Sequence, residues 1–178
     1  MTRLLRFVGM LNAALWLGAA VFCSTALLVA LHSREAIALL GQRYFEQVTT
    51  GLTQIIFTRL YHLQVFCALV AWAHWLFEWL YQGRIPRRFW MGLLAGLFLV
   101  SLLGSLWLCP KLTILHRHQY LPRQTTEQQV TAQRHFRFWN GVFQAVNLLM
   151  IGGVTAYFWR VTHPPDELRP IGSFKFRG

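Results

Sequence analysis

"FWMGLLAGLFLVSLLGSLWLC", running from Phe89 to Cys109, contains no charged residue. Crossing about 30 Å of hydrocarbon takes roughly 20 helical residues, so this stretch is long enough to span a bilayer. Working outward, three more apolar blocks of similar length lie at about 5–30, 57–81 and 138–159. Lipid offers the backbone no hydrogen-bond partners, so each block is expected to be a helix. The expected fold is all-α, an integral membrane four-helix bundle. Residues 1–160 form the four-span membrane domain, and residues 161–178 form an extended, proline-bearing tail.

Composition supports this reading. Of 178 residues, 55% are hydrophobic and 13% are charged. A soluble domain of this length carries more surface charge. The net charge is +11, but the basic residues flank the apolar blocks. Anionic headgroups and control of insertion account for that placement, and no nucleic-acid motif accompanies it. The lipid bilayer is the expected partner. Arg3 and Arg6 precede an apolar run from Leu4 to about Leu31, which is too long for an ordinary signal core. Phe22 before Cys23 does not fit a lipoprotein site. An uncleaved first span is expected.

Orientation follows from the basic residues. One side collects Arg3, Arg6, Arg84, Arg87, Arg88, Arg160, Arg169, Lys175 and Arg177. The other collects Arg34, Arg43, Arg59, Lys111, Arg117, Arg123, Arg134 and Arg137. The first set clusters beside span ends, and the second is spread over two longer loops. Both termini are therefore expected in the cytoplasm, with the chain in a bacterial inner membrane. Trp72, Trp75, Trp79, Tyr81 and Trp90 form half of an aromatic belt at the cytoplasmic boundary.

The two outer segments carry helical patterning. In "SREAIALLGQRYFEQVTTGLTQ", Ala36, Leu39, Leu40 and Tyr44 form a helical stripe and Ser33 offers a cap. This predicts an interfacial helix between spans 1 and 2, or an outward extension of the second span. After Pro122, Thr125 or Thr126 can cap a helix that continues into the fourth span.

Chemistry has few places to reside. Asn140, Gln144 and Asn147 fall on one stripe of the fourth span, beside the small residues Gly141 and Ala145. Asn12 on the first span is a candidate partner. Gly92 and Gly96, then Ser101 and Ser105, repeat the small-xxx-small spacing on the third. Interhelical hydrogen bonds worth about 0.6–2 kcal/mol each are one reading of the amides. A polar pocket for a small solute or ion is the other. His74 and Glu78, four residues apart on one helix face, form an ionisable pair that can share a proton or simply snorkel toward arginine. Cys23, Cys67 and Cys109 are candidate ligands for a soft metal, or small apolar residues in packed helices. Haem would need facing histidines, and both mid-span candidates, His62 and His74, lie on the second span. No nucleophile triad, paired carboxylates or phosphate-cradling glycine loop is present in the sequence.

The stretch "FRFWNGVFQAVNLL" resembles the domain of unknown function 4149 family, whose eukaryotic relatives are the transmembrane protein 205-like proteins. That family's fourth span opens with an aromatic, then His-Gly-x-Ser, then Asn. Trp139, Gly141 and Asn147 match this pattern, whereas Asn140 and Phe143 stand where His and Ser are expected. "LWLGAAVF" with Trp16 and Gly18, and "CPKL" with Pro110, resemble stretches of the first and third spans. The resemblance implies a four-span bundle in a membrane and no defined reaction. The expected function is that of a small non-enzymatic membrane protein, an accessory or scaffold element that packs on other membrane subunits or on itself, with no cofactor. Carriage of a small solute or metal ion is the first alternative, and a haem-bearing electron-transfer subunit the second.

Overall fold

A computed structural model describes residues 2–42, 44–82, 88–119 and 126–163. Helix α1, Thr2–Phe22, is followed by a π-turn at Cys23–Leu27 and by α2, Leu28–Leu31. A short α3, Arg34–Leu40, precedes α4, Phe45–Gln82. Helix α5, Arg88–Leu103, passes through a second π-turn at Gly104–Leu108 into α6, Cys109–Gln119. Helix α7 covers Thr126–Thr162. Four stretches, Phe7–Leu31, Phe45–Leu80, Arg88–His118 and Val130–Thr162, are long and apolar enough to cross a membrane. The chain is thus an all-α membrane helical bundle. The extended tail falls largely outside the described residues, which end at His163.

The segment between the first two spans divides at Gly41. Ser33 caps α3 by accepting a hydrogen bond from the Ala36 backbone N–H at 3.2 Å. Gly41 then takes φ +72, a left-handed conformation that ends the helix. Beyond it the chain joins the second span as one continuous helix. The expected interfacial helix and the expected outward extension therefore occupy successive halves of the segment. Thr125 lies outside the described residues. The helix beginning at Thr126 runs unbroken into the fourth span, as its sequence pattern predicts.

All four long helices outreach about 30 Å of hydrocarbon, and α4 outreaches the whole bilayer. At about 1.5 Å per residue, the 38 residues of α4 extend about 57 Å, against roughly 40–45 Å for a whole bilayer. Neighbouring helices are antiparallel: α1 packs on α4 and α7, and the α5–α6 helix packs on the same two. That leaves α4 and α7 parallel on one diagonal, both uninterrupted, and the two helices with π-turns on the other. The second π-turn immediately precedes Pro110, whose missing N–H and bulky ring disturb the preceding turn of helix.

Two apolar clusters fill the interior. One, toward the end that holds the termini, gathers Ala13, Trp16, Cys67, Ala68, Ala71, Leu94, Leu97, Met150, Val154 and Tyr157. The other, toward the α1–α4 and α6–α7 connections, gathers Phe57, Leu60, Tyr61, Leu108, Cys109, Leu112 and Phe143. Phe143 meets Phe57 edge-on at 4.9 Å and Tyr61 at 5.7 Å, so the long diagonal pair touches at the centre. Gly104 is required there, because a Cβ would overlap the Tyr61 ring.

Candidate functional site

Between the two clusters lies a polar layer, one turn thick. On α4, Gln64 sits between Tyr61 and Cys67; on α7, Asn147 sits between Phe143 and Met150. On α5, Ser101 sits between Leu97 and Gly104, and on the first span Ser24 bonds directly to Asn147. Each of the four spans thus contributes one short or amide side chain at this depth. Gln64 and Ser101 are fully buried, and Asn147 is 1% exposed.

The first span supplies most of the hydrogen bonding. Asn147 Nδ2 donates to Ser24 Oγ at 2.5 Å, and Ser24 Oγ donates to the Ala20 carbonyl at 2.6 Å. Ser24 belongs to the first π-turn, where Thr25 and Ala26 are exposed and Ser24 is half-buried against the bundle. Nearer the termini, Asn12 Nδ2 donates to the Cys67 carbonyl at 2.9 Å. Ser101 Oγ donates back to Leu97 within its own helix at 2.8 Å. Gln64 contrasts with these. Among the described residues its amide has no partner at either atom, and neither do Asn147 Oδ1, Trp16 Nε1 and Tyr61 OH. In a hydrocarbon environment each such group is costly.

The other amides of the fourth span occupy the layer's edge. The inward stripe of α7 follows Trp139, Phe143, Asn147, Met150, Val154 and Tyr157. Asn140 and Gln144 each follow an inward position by one residue, which turns them about 100° away. Both are half-buried, and neither makes a hydrogen bond among the described residues. Gly141 and Ala145 are exposed. A Cβ at Gly92, Gly96 or Gly141 would meet nothing within 4 Å, so among the described residues nothing packs closely on these glycines. The close approaches lie elsewhere, at Gly9 against His74, Gly104 against Tyr61 and Gly153 against Leu97.

His74 is half-buried over Gly9, while Glu78 is exposed, and among the described residues no hydrogen bond or ion pair joins them. His62 Nδ1 donates to the Thr58 carbonyl at 2.7 Å, since a carbonyl only accepts, and its Nε2 lies 3.5 Å from Ser105 Oγ. His62 and His74 are three turns apart on one helix, about 18 Å, so they cannot face each other across a haem. Cys67 belongs to the cluster near the termini, and Cys109 to the other, with Cys23 packed at its margin. Among the described residues no group of three or more His, Cys, Asp or Glu is arranged to hold a metal ion.

At the connection end, Lys111 Nζ lies 3.5 Å over the Trp139 ring and 4.7 Å from Trp107, whose rings meet edge-on at 5.3 Å. This cation–π cage joins α6 to α7 at a depth suited to the headgroup boundary. Sequence reading of this chain singled out Asn147, Ser101 and Asn12 but passed over Gln64, Ser24 and Tyr61. A glutamine inside "LYHLQVFCALVAW" was the available signal, and it is the amide most deeply buried here. No family model, no curated protein and no solved structure matches the chain.

Proposed function

We propose that this chain is a non-enzymatic integral membrane protein serving as an accessory element that packs against other membrane chains or a second copy of itself. One observation carries the reading. Gly92, Gly96 and Gly141 face away from their own bundle with open space beyond, so their backbones are accessible to an approaching helix. The inward polar groups support it too, because Asn12 and Asn147 engage other helices rather than converging on a reactive centre. The resemblance to the domain of unknown function 4149 family, an inner-membrane location and cytoplasmic termini belong to the same proposal. Gentle detergent extraction followed by mass measurement tests it. A partner-bound or dimeric species is expected, and Gly92→Leu with Gly96→Leu should disperse it. A strictly monomeric parent overturns the reading.

Gln64 favours a second reading, in which the polar layer receives a small polar solute. A fully buried amide with both ends unpartnered is expensive unless something meets it. Gln64→Leu separates the two. Packing alone predicts a melting temperature at or above the parent's with partner association intact. A solute site predicts that the same substitution abolishes solute uptake while the bundle stays folded.

A further inference from the structure

A groove opens between α4 and α6 on the connection-end side of the bundle, with a volume of about 540 Å³. Gln47, Gln54, Thr58 and Arg59 line one wall, and Thr113 and Arg117 stand on the other. It continues into a second hollow of about 360 Å³, which shares Thr58, Thr113 and Arg117 and adds Cys109, Pro110 and Ile114. The first chamber carries more polar and basic groups than the second, which is lined more by apolar ones.

The two arginines converge. Helical side chains lean toward their own N-terminus. Helix α4 runs from the connection end inward, so Arg59 leans outward, and α6 runs the opposite way, so Arg117 leans inward. The register between the helices is fixed by Gln54 Nε2 donating to the Leu112 carbonyl at 3.5 Å and by Gly51 facing His116. Thr58 and Thr113 line the same chamber as both arginines. Both arginines are exposed, and neither has an ion-pair partner among the described residues. Among the described residues no carboxylate lines either chamber.

We propose that this groove binds one anionic glycerophospholipid. Its phosphate takes the Arg59 and Arg117 guanidinium groups, with the Thr58 and Thr113 hydroxyls beside it. The glycerol and upper acyl chain descend past Ile114, Pro110 and Cys109 toward the bilayer. Charge complementarity selects an anionic over a zwitterionic headgroup, because two guanidinium groups with no local acid carry excess positive charge. The adjoining chamber, lined by Ile114, Pro110 and Cys109, suits an acyl chain and selects a lipid over a soluble phosphate.

The test uses the full chain, purified in a mild detergent and delipidated. Phosphatidylglycerol, phosphatidylcholine and inorganic phosphate are each titrated, reading bound lipid by native mass spectrometry and melting by tryptophan fluorescence. One tightly retained phosphatidylglycerol is expected, with a higher melting temperature than phosphatidylcholine gives. R59Q/R117Q should weaken that retention about tenfold or more, while melting in phosphatidylcholine matches the parent's. A second variant, R34Q/R134Q, removes two exposed charges elsewhere and should retain the lipid as the parent does. The proposal is overturned if both lipids bind alike, if R34Q/R134Q loses retention equally, or if inorganic phosphate alone reproduces the stabilisation. Undiminished retention by R59Q/R117Q overturns it as well. None of these outcomes depends on the oligomeric state, so failure here leaves the accessory reading standing and the reverse also holds.

Discussion

Helices α1 and α4 both cross the bundle, but they are held by different means. Of the apolar window of the first span, 11% is buried, against 39% in the second. The inward seam of the first span is Gly9, Asn12, Ala13, Trp16, Ala20 and Ser24, with a single large side chain. The seam of α4 presents Phe57, Leu60, Tyr61, Gln64 and Cys67. Small residues let α1 come close to α4 and α7, and two interhelical amide bonds tie it there. Helix α4 relies on shape and bulk. Apolar residues gain nothing by leaving lipid for protein, so the two solutions are close contact with polar ties, or dense interlocking of large groups.

The sharpest way to break the second solution is at Gly104. Gly104→Ala forces Tyr61 from its seat and should lower stability by about 1–3 kcal/mol. Gly92→Ala, which meets nothing, should stay within about 0.5 kcal/mol of the parent. Thermal melting followed by tryptophan fluorescence measures both, and equal effects would remove the distinction. Next comes the first solution. Asn12→Leu should cost about 0.6–2 kcal/mol, since it deletes the interhelical bond to the Cys67 carbonyl. Asn147→Leu should cost less, because it also removes a buried carbonyl that lacks a partner. If Asn147→Leu proves the costlier, its free oxygen has a partner in the membrane.

Smaller effects sharpen the contrast at the edges. Lys111→Met dissolves the tryptophan cage and should cost about 0.5–1 kcal/mol, with altered fluorescence from Trp107 and Trp139. Smallest is α3, outside the bundle. The Glu35 carboxyl is held below the ordinary glutamate range by its own backbone N–H and by the Ser33 hydroxyl. A lowered folded-state value means that Glu35 stabilises α3 fully above the ordinary glutamate range. That contribution is lost as pH falls through the lowered value. Protection of the Arg34–Leu40 amides, measured by hydrogen exchange and corrected for intrinsic rates, should therefore fall in acid, and Glu35→Gln should flatten the dependence.

Much of the architecture could be read from residue order, because span length and uninterrupted hydrophobicity are properties of a segment by itself. The continuity of α7 from Thr126 and the cap at Ser33 were equally local. Which side of each span faces inward was harder to read. In a soluble helix the outward face is polar and betrays the inward one; here Leu148 and Leu149 face outward while Met150 faces inward, and all are apolar. Asn140 and Gln144 looked equivalent to Asn147 because one residue of phase decides burial, and that phase is set by neighbouring helices. The basic groove was illegible for a related reason. Arg59 and Arg117 are far apart in sequence, and only the antiparallel register of α4 and α6 brings their side chains toward one another.

The two π-turns have a consequence for how the chain tolerates change in length. A π-turn contains one more residue than the α-helical turn that would fill the same place. Cys23–Leu27 and Gly104–Leu108 therefore each hold one residue of slack. Deleting a single residue within either turn lets the helix revert to α geometry while the segments on both sides keep their facing. The same deletion in α4 has no slack to draw on, and it swings everything beyond it by about 100°. A single-residue deletion is thus absorbed at the π-turns of one diagonal of this bundle and shifts the facing of the helices on the other.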